Sequence, residues 1–189
     1  MTRVLSAADR DFWEDNGYVI VHDAVPRENL EAVIGVIWNF LEMDRNDPST
    51  WYRDPERLNG MPELNQSGMV ELYHHQTLWD NRQYPRVHAA FADIWGTEKL
   101  WVTIDRVNLN PPARPGWDFQ GFIHWDIDTS LRPLESKVQG VLSLTDTSAG
   151  QGGFQCVPGF PQRFEQWVRT QPAARAIAAA RVQVAAELN

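Results

Sequence analysis

One cysteine stands among the 189 residues, so no internal disulfide can staple the chain, and nothing points to an oxidising compartment. No run approaches the roughly 20 apolar residues that cross a bilayer, and the opening residues lack a signal-peptide profile. Positive charge is scarce. Seventeen basic against 25 acidic side chains leave a net charge of −8. That balance argues against a nucleic-acid binder, whose affinity rests on neutralising phosphates. Also missing are a Gly-x-Ser-x-Gly nucleophile elbow, a phosphate loop, a dinucleotide fingerprint and a Cys-x-x-Cys pair. Gly150-Gln151-Gly152-Gly153 imitates a phosphate cradle, but no lysine and helix follow it, and a tight turn is the better reading. Cys156 lies in a Gly-flanked apolar run and reads as a small buried residue rather than a nucleophile. These exclusions leave the expectation of a cytoplasmic globular protein with no nucleic-acid or membrane partner. Nothing in the sequence fixes an oligomeric state.

What is present is a chain with 43% apolar content, long enough to bury a core unaided. No repeat or linker divides it, so a single domain over 1–189 is expected, mainly helical in 1–95 and β-rich in 96–189. Ser6 followed by Ala7-Ala8-Asp9 reads as an N-cap with an acidic first turn, and Asn16-Gly17 as the stop of that short helix. Tyr18 to Val21 is a short β-rich run. Pro26 opens the next helix, in which Leu30, Val33, Ile34, Ile37 and Leu41 form one apolar stripe at helical spacing. Residues 44–68 read as irregular, and 69–88 as helical in pieces. Strands are predicted over Leu100 to Asn110 (stopped by Pro111-Pro112), Gly121 to Asp126, Val138 to Thr145 and Phe154 to Val157. Helical pieces follow near Gln162 to Thr170 and Ala173 to Arg181. Helices first and strands second make an α+β class, with helices covering a sheet or a barrel-like β sandwich.

The segment that carries chemistry is Gly121-Phe122-Ile123-His124-Trp125-Asp126. In a strand, residues two apart share a face, so His124 and Asp126 converge while Trp125 turns away. An imidazole beside a carboxylate is two thirds of the 2-His-1-carboxylate triad that binds Fe(II) on one face and leaves positions open for cosubstrate and oxygen. A His-Asp pair on a solvated edge strand is the plainer alternative. Asp128 shares the face but lies two residues further along.

The surroundings add a resemblance. Phe12-Trp13-Glu14-Asp15-Asn16-Gly17-Tyr18-Val19-Ile20-Val21, then Pro26 and an amphipathic helix, resemble the N-terminal entry of the phytanoyl-CoA dioxygenase family of Fe(II)- and 2-oxoglutarate-dependent oxygenases. Trp101 to Pro112 resembles the strand before that family's metal motif. His124-Trp125-Asp126 resembles its His-x-Asp, and Gly152-Gly153-Phe154-Gln155-Cys156-Val157-Pro158-Gly159 its Gly-rich turn and Val-Pro-Gly. The resemblance implies a double-stranded β-helix (a jelly-roll, cupin-like core) with the N-terminal helices packed on it. It implies His124 and Asp126 as iron ligands, Fe(II) and 2-oxoglutarate as cofactor and cosubstrate, and oxidation of a small-molecule substrate.

The sequence departs from the pattern at one place. The histidines are His22, His74, His75, His88 and His124, so the distal third ligand of the family and its 2-oxoglutarate-binding arginine do not follow the motif in these 189 residues. Arg169, Arg175 and Arg181 read as solvated helix charges. The jelly roll is therefore expected to lack its last strands here, either because the reading frame continues past Asn189 into a further strand and a histidine, or because this is a short form without the site. A non-catalytic jelly-roll ligand-binding protein with an incomplete triad is the alternative function. Halogenases, which keep both histidines and lose the carboxylate, show the opposite pattern.

The remaining candidates are polar or aromatic side chains near a presumed cavity. His74 and His75 are adjacent and cannot both reach one metal; His75 is a candidate on the substrate side. Arg106 and Asn108, with Asn110, alternate with Val107 and Leu109 and could border the 2-oxoglutarate pocket. There an arginine could pair bidentately with a carboxylate, or equally with a neighbour such as Asp105 or Asp118. Trp117, in the Pro/Gly-rich loop 111–121, and Trp51, beside Tyr52, are candidates to line the substrate.

Overall fold

The computed structural model describes residues 3–52, 68–115, 121, 123–124, 126, 132–134 and 136–171. These carry five α-helices: α1 (Ala7–Asn16), α2 (Arg27–Phe40), α3 (Gln76–Arg82), α4 (Pro85–Trp95) and α5 (Phe160–Thr170). A 3-10 turn covers Pro48–Thr50, and β1 (Met69–Val70) pairs antiparallel with β2 (Val107–Asn108). Among the described residues no helix is long and apolar enough to cross a membrane. The chain groups into two compact units that interleave along the sequence. One draws on Met1–Ser6, Ile20–Phe119 and Ser143–Gly152, the other on Ala7–Val19, Gln120–Leu142 and Gly153–Asn189.

The first unit is built on the α2 stripe. Val33, Ile34 and Ile37 are buried, and Leu41, one residue past the helix, is sealed completely. Val33, Ile37 and Leu41 join Met43, Val70, Leu72 and Leu78 in one cluster, with Val107, Leu109 and Leu144 packed against it. The apolar spacing thus brings β1 and α3 onto one face of α2. The ladder is short: Met69 faces Asn108, Val70 faces Val107, and Leu109 N–H adds a bond to Gly68 C=O at 2.8 Å. Arg82, in the last turn of α3, binds the chain on both sides of this ladder. It donates to Tyr73 C=O at 2.9 Å and to Asp105 C=O, and its guanidinium lies 5.3 Å from the centre of the Trp79 ring. Burial holds that guanidinium below its ordinary value, and Asp105 opposes the shift. At the N-terminus, Val4 and Leu5 both donate backbone N–H to Asp93 Oδ2 on α4, at 2.7 and 2.9 Å.

α2 ends in a Schellman arrangement. Met43 N–H reaches Trp38 C=O at 3.1 Å and Glu42 N–H reaches Asn39 C=O at 3.2 Å. Met43 returns to the apolar cluster that Ile37 and Trp38 also touch. The motif requires a left-handed residue between them, and Glu42 occupies it at φ 56°.

In the second unit α1 packs against α5. The expected stop at Asn16-Gly17 is observed: Gly17 sits at φ 76° and its N–H closes the helix on Trp13 C=O at 2.7 Å. Phe12 meets Tyr18 edge-on across this end, with ring centres 5.2 Å apart. Gly17 is required twice over, because a Cβ built there would run into the Pro161 ring at the start of α5. Gly159 N–H to Asn16 C=O (3.0 Å) and Gln162 Nε2 to Glu14 C=O (3.1 Å) complete the seam.

Helix expectations and strand expectations fared differently. Of the strand predicted over 100–110, only Val107–Asn108 is paired. Tyr18 to Val21, 138–145 and 154–157 form no ladder among the described residues, and neither do the described residues of 121–126. Extended backbone becomes a strand only when a neighbour accepts its hydrogen bonds. Here Trp101 is 96% exposed and Val141 and Phe154 are exposed too. The helix predicted near Gln162 to Thr170 is α5, begun two residues earlier, and the piece at Ala173 to Arg181 lies outside the described residues.

Two substitutions test these backbone arguments. Gly17→Ala combines left-handed strain of about 1–2 kcal/mol with overpacking of about 1–3 kcal/mol. A loss of about 2–5 kcal/mol is expected in urea unfolding of the protein. Glu42→Gly relieves strain of about 1–2 kcal/mol against an unfolded-state entropy penalty of about 0.5–1 kcal/mol. A gain of about 0.5–1 kcal/mol is expected in the same measurement.

Candidate functional site

His124 and Asp126 lie side by side, although the strand expected over 121–126 is not formed among the described residues and Asp126 sits in a bend. His124 Nε2 lies 3.2 Å from Asp126 Oδ1, with the side chains 33% and 51% exposed. The second carboxylate oxygen, Oδ2, accepts from Gln139 Nε2 at 3.0 Å. Gln139 comes from the extended segment that follows, so three side chains from two stretches of chain meet here. The segment is tied to α5 by an ion pair of Arg132 with Glu165, at 3.5 Å.

The spacing suits two ligands of one ion. Metal bonds of about 2.1 Å to nitrogen and oxygen put ligands at right angles about 3 Å apart, close to the 3.2 Å seen between Nε2 and Oδ1. Imidazole and carboxylate are also the donor types of a facial Fe(II) site. A third donor is not assembled: among the described residues no group of three His, Cys, Asp or Glu side chains could bind a metal.

The other predicted residues that are described, Arg106, Asn108, His75 and Trp51, belong to the first unit. Arg106 is half-buried, its Nε 3.7 Å from Asp105 Oδ1, which also accepts the Arg106 backbone N–H at 2.7 Å. The neighbour pairing foreseen for this arginine is the one observed. Val107 and Leu109 pack on the core while Asn108 and Asn110 are exposed, so the expected alternation holds through β2. His75 is the N-cap of α3, its Nδ1 accepting Thr77 N–H at 3.3 Å and lying 2.9 Å from Thr77 Oγ1. Trp51 packs against the core beside Trp38, and its indole N–H donates to Asp44 C=O at 2.7 Å. Tyr52, next to it, binds the start of the Pro-rich loop. Its hydroxyl donates to Pro112 C=O at 2.9 Å, and Arg114 stacks 3.5 Å from its ring centre. Trp117 and Asp128 lie outside the described residues.

Gln139 was not among the residues singled out from sequence. The available signal was a lone amide in the mostly apolar run Val138 to Leu144, two residues from Val141. Periodicity does not give which carboxylate the amide reaches.

Comparison with known proteins gives distant similarity. The chain is 27% identical over 169 residues to "Ava biosynthesis cluster protein O" of Aspergillus versicolor, covering 86% of this chain and 53% of that protein. It is 22% identical over 196 aligned positions to "Putative phytanoyl-CoA dioxygenase" of Dictyostelium discoideum, covering 83% of this chain and 56% of that one. The chain therefore spans about half the length of the curated relatives it matches. No family model matches it, and no solved structure does.

Cys156 corrects its expected burial. It is exposed, and the run that carries it forms no ladder among the described residues. Its thiol is nonetheless pushed up by partial desolvation, which disfavours the thiolate. Only the thiolate is nucleophilic, so iodoacetamide should modify Cys156 more slowly in the folded protein than in the urea-unfolded chain at neutral pH. The two rates should converge as pH rises past the raised value. Mass spectrometry of timed aliquots reads both, and faster labelling of the folded form would contradict the shift.

Proposed function

We propose that the protein is an Fe(II)- and 2-oxoglutarate-dependent oxygenase of the phytanoyl-CoA dioxygenase type, oxidising a small-molecule substrate. The observation that carries this reading is the approach of His124 Nε2 to Asp126 Oδ1 at 3.2 Å. The motif order around it supports the reading: an Asn-Gly-Tyr entry, His-x-Asp, a Gly-rich turn, then Val157-Pro158-Gly159. The distant similarity to a protein described as a phytanoyl-CoA dioxygenase supports it too. The double-stranded β-helix core belongs to the same proposal.

In this reading His124 supplies a neutral imidazole nitrogen and Asp126 one carboxylate oxygen, a net charge of −1 toward a divalent ion. Bound Fe(II) with 2-oxoglutarate supplies an oxidation by O₂ in which one oxygen atom goes to the substrate and the other to succinate, with release of carbon dioxide. The chain's own contribution is to fix the two donors about an octahedral edge apart and to leave the opposite face open. The acidic balance, −8 overall, gives no attraction for a polyanion, so a CoA thioester is not favoured over a free metabolite.

A specific observation sustains the alternative, a ligand-binding protein without catalysis: no third metal donor stands with His124 and Asp126 among the described residues. Anaerobic addition of Fe(II) and 2-oxoglutarate separates the two. The oxygenase should develop a weak visible charge-transfer band, release succinate on admission of O₂, and lose both in His124→Ala and Asp126→Ala. A wild-type protein that gives neither band nor succinate, and behaves as His124→Ala does, would sink the oxygenase and favour the binding module.

A further inference from the structure

We propose that residues 99–105 are a self-association edge, pairing antiparallel with the same segment of a second copy of this chain about a two-fold axis at Val102. Nothing in this pairing depends on a metal at His124 and Asp126. Lys99 and every residue from Trp101 to Asp105 are exposed, and Leu100 is half-buried. Trp101 stands 96% exposed, and Val102 and Ile104 are at 40% and 43%. Their residue types favour a pleated, half-buried surface. Among the described residues, no backbone N–H or C=O of Trp101 to Ile104 is hydrogen-bonded. Both ends are nonetheless anchored: Glu98 C=O lies 3.1 Å from His88 Nε2 on α4, and Asp105 C=O accepts from Arg82 on α3. The fold thus presents a bare apolar run, held at each end, just before β2. Such a run is a template for pairing with another chain.

Side-chain order and exposure together select the occupant. With one copy turned end for end, Lys99 faces Asp105, Leu100 faces Ile104, Trp101 faces Thr103, and Val102 faces itself. A two-fold axis requires this self-complementarity. Each end of the ribbon then carries an opposite-charge pair, and Trp101 lies across from a β-branched side chain; both are favourable cross-strand pairs. Leu100, Val102 and Ile104 share one face, so the two copies merge them into a single apolar stripe. Parallel pairing in register would set Lys99 against Lys99 and Asp105 against Asp105, and like charges directly opposite are destabilising. Asp105 keeps its side chain 78% exposed, even with Oδ1 accepting the Arg106 backbone N–H and lying 3.7 Å from Arg106 Nε.

Sedimentation velocity of the full chain over a range of concentrations should show a reversible monomer–dimer equilibrium. Val102→Pro removes the N–H at the axis and should abolish the dimer. Lys99→Asp sets like charges at both ends of the ribbon and should raise Kd about tenfold, and adding Asp105→Lys to it should restore the wild-type value. These positions are exposed, and unfolding midpoints matching wild type confirm that each variant keeps its fold. In a Cys156→Ser background, Val102→Cys faces itself and should oxidise to a disulfide-linked dimer, whereas Thr103→Cys faces Trp101 and should not. A wild-type chain that stays monomeric at every concentration would overturn the proposal and leave the run to a strand from a different partner. A dimer that survives Val102→Pro would put the interface elsewhere, and equal cross-linking of Val102→Cys and Thr103→Cys would mean a parallel register. Either result overturns the pairing.

Discussion

The core of the larger unit is fixed by the burial of one stripe of α2, against which β1, β2 and α3 pack. Val33, Leu41 and Val70 are the largest side chains sealed from solvent, and they touch through a cluster that α2, β1 and α3 all enter. Burying a Val or Leu side chain is worth about 1.5–3 kcal/mol. A two-residue ladder offers far less, since a net hydrogen bond contributes about 0.5–1.5 kcal/mol. The ladder therefore exists because Val70 and Val107 are drawn to the stripe, and its register follows from which residues point inward. Arg82 then fastens the flanks of the ladder by donating to the carbonyls of Tyr73 and Asp105.

What could be read from sequence divides along the same physics. Helix signals are local, and they were legible: the Asn16-Gly17 stop, Pro26 at the entry of α2, and the 30-33-34-37-41 stripe each correspond to an observed feature. One local event was not legible. Glu42 in the left-handed region has no sequence signature, since the motif favours glycine there, and it is the packing of Met43 back onto the cluster that compels the turn. Strand signals describe only a side chain's alternation, whereas a strand is a relation between two segments. Val107 to Asn110 alternates as expected and is paired at its start; the Trp101 to Ile104 stretch has the same β-rich composition and finds no partner among the described residues.

The candidate site was half legible for a related reason. The two-residue spacing puts His124 and Asp126 on one face of an expected strand; in the structure they approach to 3.2 Å although Asp126 lies in a bend and not in a strand. Arg106, His75 and Trp51 were chosen for their chemistry, and each also has a structural partner: Asp105 for the arginine, the first turn of α3 for the histidine, the Trp38 face of the core for the indole. Chemistry-bearing residue types near a motif are common, and only tertiary contacts distinguish a ligand from a cap. Gln139 is the converse case, an unremarkable amide that three-dimensional contact brings onto Asp126.

The placement of these residues separates function from stability. His124 and Asp126 are one-third and one-half exposed, and a solvent-exposed pair of this kind is worth no more than about 1 kcal/mol to the fold. Glu165 and Arg132, which hold the segment to α5, are as exposed. The stability of the chain resides in the α2 cluster and in the α1–α5 seam at Gly17, none of whose residues carries a candidate ligand. The approach of the imidazole to the carboxylate, with an amide on the second oxygen, is therefore an exposed polar cluster on which little of the fold's stability rests. Under the oxygenase reading proposed above, His124 and Asp126 would act as donors to one cation, and the fold would lose little if they did.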